Sequence, residues 1–233
     1  MKLLTVNVGR PKYVDYTNTP GGVTGIDKRP VEGPVLVADP GAPAGENGSG
    51  VAGDLVRDTV HHGGTHQAVY AFAREDLDFW ERELGRPIAN GSFGENLTTL
   101  GLDVSGARIG ERWRIGERVV LEVTSGRIPC RTFAGWLGEL GLPEKGWLKR
   151  FTQRAEPGAY LKVIEPGEIR AGDPVEIVHR PDHEVTVGMA FRAASTERDL
   201  LPSLLAAGDA LNPVLVSKAE EYLSKQSAVR AAG

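Results

Sequence analysis

Cysteine occurs once in this chain, at Cys130, within Ser125-Gly126-Arg127-Ile128-Pro129-Cys130-Arg131-Thr132. A thiol at a helix N-terminus, flanked by Arg127 and Arg131, has its pKa lowered, because the helix dipole and the guanidinium charges both favour the thiolate. Thiolate is the form that a soft metal ion or a nucleophilic mechanism requires. A buried structural cysteine is the competing reading, but nothing apolar is gained by placing two arginines beside it. A second cluster is His61-His62-Gly63-Gly64-Thr65-His66. Its imidazoles could ligate a metal, with a zinc site assembled from Cys130 and Asp58 as one arrangement. The Gly63-Gly64 pair points instead to close backbone approach, as when amide N–H groups cradle an anion. A polar loop with solvated histidines is the third reading. Phe93-Gly94-Glu95-Asn96-Leu97 carries a glycine and an amide on a bulge-like turn, suited to aiming hydrogen bonds into a pocket. Thr24-Gly25-Ile26-Asp27-Lys28-Arg29-Pro30-Val31 sets two cations beside a glycine turn, where they are either solvated or grip a phosphate.

Short strands must position these residues. Runs rich in Val, Ile, Leu and Tyr occur at Leu3–Val8, Val35–Ala38, Ala68–Ala73, Val119–Val123, Tyr160–Ile164 and Pro174–Val178, bounded by Gly, Pro or acidic turns. The Gly-acid steps Gly110-Glu111, Gly116-Glu117 and Gly172-Asp173 supply tight turns that let a sheet curl, which predicts a barrel-like β core. Helical spacing appears at Leu77, Trp80 and Leu84, stopped by Gly85, and at Phe133, Trp136, Leu137 and Leu140, stopped by Gly141. Trp147, Leu148 and Phe151 suggest a further turn or two. These aromatics lie on apolar stripes and read as core rather than as a cofactor stack. Cys130 therefore sits where a strand hands over to a helix. After His179-Arg180-Pro181-Asp182-His183 the chain turns helical, at Val185–Arg192, Thr196–Ala207 and Pro213–Lys225, with Thr196 and Asp199 resembling a helix N-cap pair. The predicted organisation is a barrel domain over 1–180 and a small three-helix region over 181–233.

Composition narrows the function. The 233 residues carry a net charge of -4, which excludes a broad basic field for nucleic acid or an anionic membrane. One cysteine excludes an internal disulfide, a Cys-only zinc site and an iron–sulfur cluster held by this chain alone. The expected setting is reducing and cytoplasmic. The N-terminus alternates rather than forming a signal-peptide core, and no apolar run reaches membrane-spanning length. With 30 Gly and 15 Pro, punctuation is roughly one and a half times the average, which suits turns between short strands. Gly48-Ser49-Gly50-Val51-Ala52-Gly53 matches the dinucleotide fingerprint, but a Pro- and Gly-rich segment precedes it and Gly63-Gly64 interrupts the residues after it, so no Rossmann unit is expected.

Taken together, four segments resemble the MOSC family (molybdenum cofactor sulfurase C-terminal domain), in particular its bacterial YiiM-like branch. They are Gly25–Val31; Gly53-Asp54 with Asp58–Gly64 and Ala68-Val69; Phe93–Leu97; and Arg127-Ile128-Pro129-Cys130. Family members often have Gln-Pro where this chain has Ser125-Gly126, and the 39–53 loop is longer than usual. The resemblance implies a mainly β fold with α, a closed or partly open barrel of the PK β-barrel-like type with a C-terminal helical appendage. It implies a molybdenum cofactor of the molybdopterin type, with Cys130 as metal ligand and catalytic residue. Arg127, Lys28 and Asn96 would hold the pterin and its phosphate, and His62, Gly63 and Gly64 would line the cofactor loop. At family level it also carries an association with pyridoxal phosphate. The implied chemistry is reduction of N-hydroxylated compounds such as hydroxylaminopurines and amidoximes. The chain lacks the cysteines for a cluster and a credible flavin or nicotinamide fold, so a separate flavin or iron–sulfur electron-donor protein is implied, with a homodimer left open. A sulfur carrier bearing a persulfide on Cys130, and a cofactor-handling or storage module, are the competing functions.

Overall fold

The computed structural model describes residues 1–41, 48–59, 61–143 and 145–232; residues 42–47 of the 39–53 loop and Val60 of the histidine segment lie outside it. In chain order the strands and helices are β1 (Lys2–Gly9), β2 (Lys12–Tyr13), β3 (Val23–Thr24), β4 (Lys28–Pro30), β5 (Val35–Val37), β6 (Val69–Ala73), α1 (Arg74–Leu84), β7 (Leu97–Leu100), β8 (Arg112–Ile115) and β9 (Val119–Gly126). Next come α2 (Arg131–Glu139), α3 (Trp147–Arg154), β10 (Ala159–Glu165), β11 (Gly167–Ile169), β12 (Val175–His179), α4 (Val187–Ser195) and α5 (Pro213–Ala232), with short 3-10 turns at Pro20–Gly22 and Thr65–Gln67 and a long 3-10 stretch at Arg198–Ala210.

Eight strands form one sheet in the order β12-β8-β9-β10-β6-β7-β1-β4, and small two-stranded sheets pair β11 with β5 and β2 with β3. Among the described strands only β6 and β7 pair in parallel, with Ala71 opposite Leu97. The sheet curls until the turn before β12 reaches β1: Leu3 N–H donates to Asp173 C=O at 2.9 Å and Val175 N–H to Met1 C=O at 3.1 Å. That short contact, in place of a full ladder, makes a partly open barrel. The three predicted Gly-acid steps all fall in turns leading into strands β8, β9 and β12.

Strand β6 shows how the layers arise. All five of its residues are buried, and side chains alternate between faces with a period of two. Val69, Ala71 and Ala73 enter the barrel interior with Leu3, Trp113 and Leu121. Tyr70 and Phe72 enter an aromatic layer with Trp80, Phe93, Phe133, Trp147 and Phe151. That second layer is the packing of α1, α2 and α3 on the outer face, with Trp80 and Trp147 rings 4.6 Å apart and Phe93 and Phe133 5.2 Å apart. The aromatic stripes are core, and each such ring buried is worth about 2–3 kcal/mol of transfer free energy. Helix α1 stops where predicted, with Gly85 left-handed at its C-cap.

The C-terminal region joins the barrel interior directly. Val187, Ala190, Leu204, Leu211 and Leu215 belong to the same buried cluster as Leu121 and Val123. Two details differ from expectation. Thr196 ends α4, its N–H donating to Arg192 C=O, and the cap of α4 is Thr186, whose side chain accepts from Met189 N–H at 3.1 Å. The segment expected as a helix from Thr196 is a 3-10 stretch with Pro202 inside, since proline lacks the N–H that an α-helix needs.

Candidate functional site

Strand β9 ends at Gly126 and α2 begins at Arg131, so the intervening residues place Cys130 at the helix N-cap with extended backbone. The cysteine opens onto a cavity of about 990 Å³, walled by Lys28, His62, Gly63, Asn96, Arg127 and Cys130 among others. The fold thus brings together six of the seven residues singled out in the sequence. Gly64 is the exception: it is buried off the wall, and its N–H donates to Gly48 C=O at 2.9 Å.

Burial pushes the Cys130 thiol up, but a hydrogen bond with His62, the charge of Arg127 and the Phe133 N–H outweigh it and hold the pKa at about 6. At neutral pH the group is a thiolate. Of the two flanking arginines only Arg127 acts on the sulfur; Arg131 is exposed on the first turn of α2. Alternation decides this, because Arg127 leaves the strand pointing inward.

Arg127 is 5% exposed and makes no ion pair among the described residues. Its Nη1 donates to Phe93 C=O, and its guanidinium lies 4.3 Å from the centre of the Phe133 ring and 5.2 Å from that of Tyr70. Its Nε has no partner. The Phe93 carbonyl is in turn fixed by Glu95, whose buried carboxylate accepts from Gly91 N–H at 2.5 Å, Phe93 N–H at 3.0 Å and the Thr98 hydroxyl at 2.9 Å. Gly94 has φ +73°, and a Cβ there would lie 2.8 Å from Ile26 Cδ1 and 3.1 Å from Arg127 Nη1. Glycine is required so that the turn can close over the guanidinium.

Lys28 is handled in the opposite way. Its ammonium is ion-paired with Asp54, both side chains being almost wholly buried. Asp54 also accepts from Gly9 N–H at 2.7 Å, the Ser49 hydroxyl at 2.7 Å and Asn96 Nδ2 at 2.9 Å. Asn96 closes the network by accepting Tyr70 N–H at 3.1 Å and donating to Asn7 C=O at 3.3 Å. The Asn96 amide is therefore spent within the protein. Sequence reasoning did not assign Asp54 a role, because nothing in its neighbourhood marks a partner 26 residues away.

The histidines divide. His62 reaches Cys130, whereas His61 faces Asp58 at 3.1 Å on the exposed side of the loop. Among the described residues no group of three His, Cys, Asp or Glu side chains could hold a metal, so the zinc arrangement of Cys130 with Asp58 and the histidines does not form. Gly63 has φ +79°, and a Cβ there would collide with the Gly48 carbonyl; its lack of a side chain serves loop packing rather than ligand approach. The dinucleotide-like Gly48–Gly53 stretch has no strand–turn–helix context: Val51 bridges Val37, and no helix comes directly after it.

The sequence and the fold are similar to those of known proteins. The sequence model of the MOSC domain matches residues 58–176. The chain is 34% identical over 190 residues to YflK of Bacillus subtilis, covering 82% of this chain and 79% of that protein. It is 31% identical to YiiM of Escherichia coli over 62% of this chain and 63% of YiiM. A protein of Gibberella moniliformis named Reductase is 29% identical over 85% of this chain, which spans only 34% of that longer protein. The crystal structure of YiiM from Geobacillus stearothermophilus superposes with a TM-score of 0.71 at 26% identity, covering 94% of this chain and 97% of that one. This chain belongs to the MOSC domain family, and its fold is that of the YiiM structures. No described helix is long and apolar enough to cross a membrane.

Proposed function

We propose that the chain binds a molybdenum cofactor through Cys130 and acts as an oxidoreductase that reduces N-hydroxylated compounds such as hydroxylaminopurines or amidoximes. The observation that carries this reading is the Cys130 thiolate, with a pKa of about 6, beside a buried guanidinium without a carboxylate partner among the described residues. The residues fit the group: molybdenum accepts soft thiolates, and the cavity, about 990 Å³, offers room for an organic ligand that brings the remaining donors. Membership of the MOSC family and the name of the Gibberella relative support an enzyme of this kind.

When bound, the cofactor supplies two-electron removal of oxygen, so that R–NHOH with two electrons and two protons gives R–NH2 and water. The chain's own residues prepare that chemistry. Cys130 presents its sulfur from a rigid strand-to-helix junction. His62 and Arg127 both favour the charged form of the sulfur, and Arg127 also offsets the negative charge of an anionic ligand. The two electrons come from a separate flavin or iron–sulfur protein, because a chain with one cysteine holds no cluster.

The test is molybdenum content of protein made in a cofactor-competent host, with reduction of an N-hydroxylated purine driven by an artificial donor. Stoichiometric metal is expected, and Cys130→Ala should lose both metal and more than about 100-fold of the activity. Metal-free protein carrying a persulfide on Cys130 would replace this reading with sulfur transfer, and bound metal without turnover would replace it with cofactor handling.

A further inference from the structure

We propose that His66, Asn212 and Lys218 form a donor-only subsite in the cavity that binds the oxyanion of a phosphorylated ligand, which gives the C-terminal helix a part in ligand recognition. This rests on reading the cavity as the site of cofactor and substrate. Of the three residues expected to hold the pterin and its phosphate, two are engaged within the protein and only Arg127 is left for an anion: the charge of Lys28 is balanced by Asp54, and the Asn96 amide is spent on Asp54, Tyr70 and Asn7.

The three donors come from two segments tied to one residue of β9. Thr124 donates its hydroxyl to His66 C=O at 2.6 Å, and its own carbonyl accepts Asn212 N–H at 3.3 Å. That double anchor ties the Thr65–Gln67 turn and the residue that precedes α5 to the same point on β9. Asn212 is 6% exposed and lines the cavity. Its Oδ1 accepts Val214 N–H at 3.0 Å, which fixes the amide orientation and leaves Nδ2 as the donor available to a ligand. Val214 and Lys218 stand one helical turn apart on the cavity side of α5, and Lys218 makes no ion pair among the described residues.

His66 lines the same wall, with Nδ1 buried and without a partner. A buried N–H without an acceptor costs more than a buried lone pair, so the proton resides on Nε2. Burial and the nearby Lys162 hold the imidazole below its ordinary pKa, so the ring stays neutral and offers an N–H rather than a metal-binding lone pair. Among the described residues Asp58 is the one carboxylate on the cavity wall and faces His61, Asp39 accepts from the Thr65 hydroxyl at 2.9 Å and Gly41 N–H at 3.0 Å, and Glu122, near His66, is ion-paired with Arg112 and Lys162. Two neutral N–H donors and one ammonium without a carboxylate match a multi-oxygen anion such as phosphate.

The test titrates cofactor-free protein with inorganic phosphate, followed by phosphorus NMR, and so does not depend on metal loading. Saturable binding is expected in the native chain, weakened about tenfold by Lys218→Met and restored by Lys218→Arg. Asn212→Leu should weaken it comparably, and the half-exposed Lys218 variant guards against a folding defect at Asn212. Absence of saturable binding, or equal affinity in Lys218→Met, overturns the proposal. Loaded protein then tells the two sources of phosphate apart. If Lys218→Met raises KM for an N-hydroxylated nucleoside monophosphate but not for the nucleoside, the substrate supplies the anion; if molybdenum content falls and the KM ratio holds, the cofactor supplies it. Failure of the Cys130 assignment would appear separately, as metal-free protein whose phosphate binding is intact.

Discussion

Lys28 and Arg127 are both buried cations on the wall of one cavity, yet the protein balances them by different means. Lys28 meets a carboxylate, and that carboxylate is itself saturated by Gly9, Ser49 and Asn96. Arg127 meets a carbonyl, two aromatic faces and the Cys130 sulfur, with no carboxylate among the described residues. A buried charge with every partner present holds a loop in place; a buried charge lacking one is an electrostatic bias directed at whatever enters beside it. The β1–β4 side of the cavity is thus a closed structural network, and the β9–α2 side is the poised one.

Breaking the closed network should have the largest effect on stability. Asp54→Asn keeps the acceptor geometry but strands the Lys28 ammonium, and a loss of about 3–5 kcal/mol is expected, read as a drop in Tm on the order of 10 °C. Adding Lys28→Met should recover much of it; if the double variant is no more stable than Asp54→Asn, the ion pair is not what holds the loop.

Variants on the poised side should move the thiol more than the fold. His62→Leu is expected to raise the Cys130 pKa furthest, because the His62 hydrogen bond is the strongest of the influences that lower it. Ultraviolet thiolate absorbance against pH measures this directly. Arg127→Met should raise the pKa by less, while leaving Phe93 C=O unpaired at a cost of about 1–3 kcal/mol. The reverse order of thiol shifts would make the guanidinium the dominant influence and sharpen its assigned role. The pH dependence of stability gives an independent check. Folding lowers the thiol from 9.0 to about 6, so the thiolate's contribution is complete above pH 9, declines as pH falls and is absent below about pH 6. Denaturation of the native chain and Cys130→Ser across that window should show a stability gap that widens with rising pH.

Much of the fold could be read from local pattern. The helix stripes of α1, α2 and α3 and six of the strands come from spacing and turn residues, because apolar periodicity is dictated by which face is buried. Strands β2, β3, β4, β7, β8 and β11 lay outside those six runs, since they are only two to four residues long and sheet pairing rather than propensity holds them. At the site, Cys130 stood out by being the one thiol between arginines. Which arginine mattered did not, because both lie within four residues of it, and only the strand-to-helix geometry sends one inward and the other to solvent.

Residue type and local order were enough to determine that one thiolate would sit at a strand–helix junction on a β core, and that this chain could not supply a disulfide or a cluster. The tertiary structure alone decided which polar groups were spent. Lys28 and Asp54 are 26 residues apart, and His66 and Asn212 are both tied to Thr124 of β9. The physical reason is that a side chain's capacity to bind a ligand is what remains after its own neighbours are satisfied, and those neighbours are brought by chain crossings that leave no periodic trace.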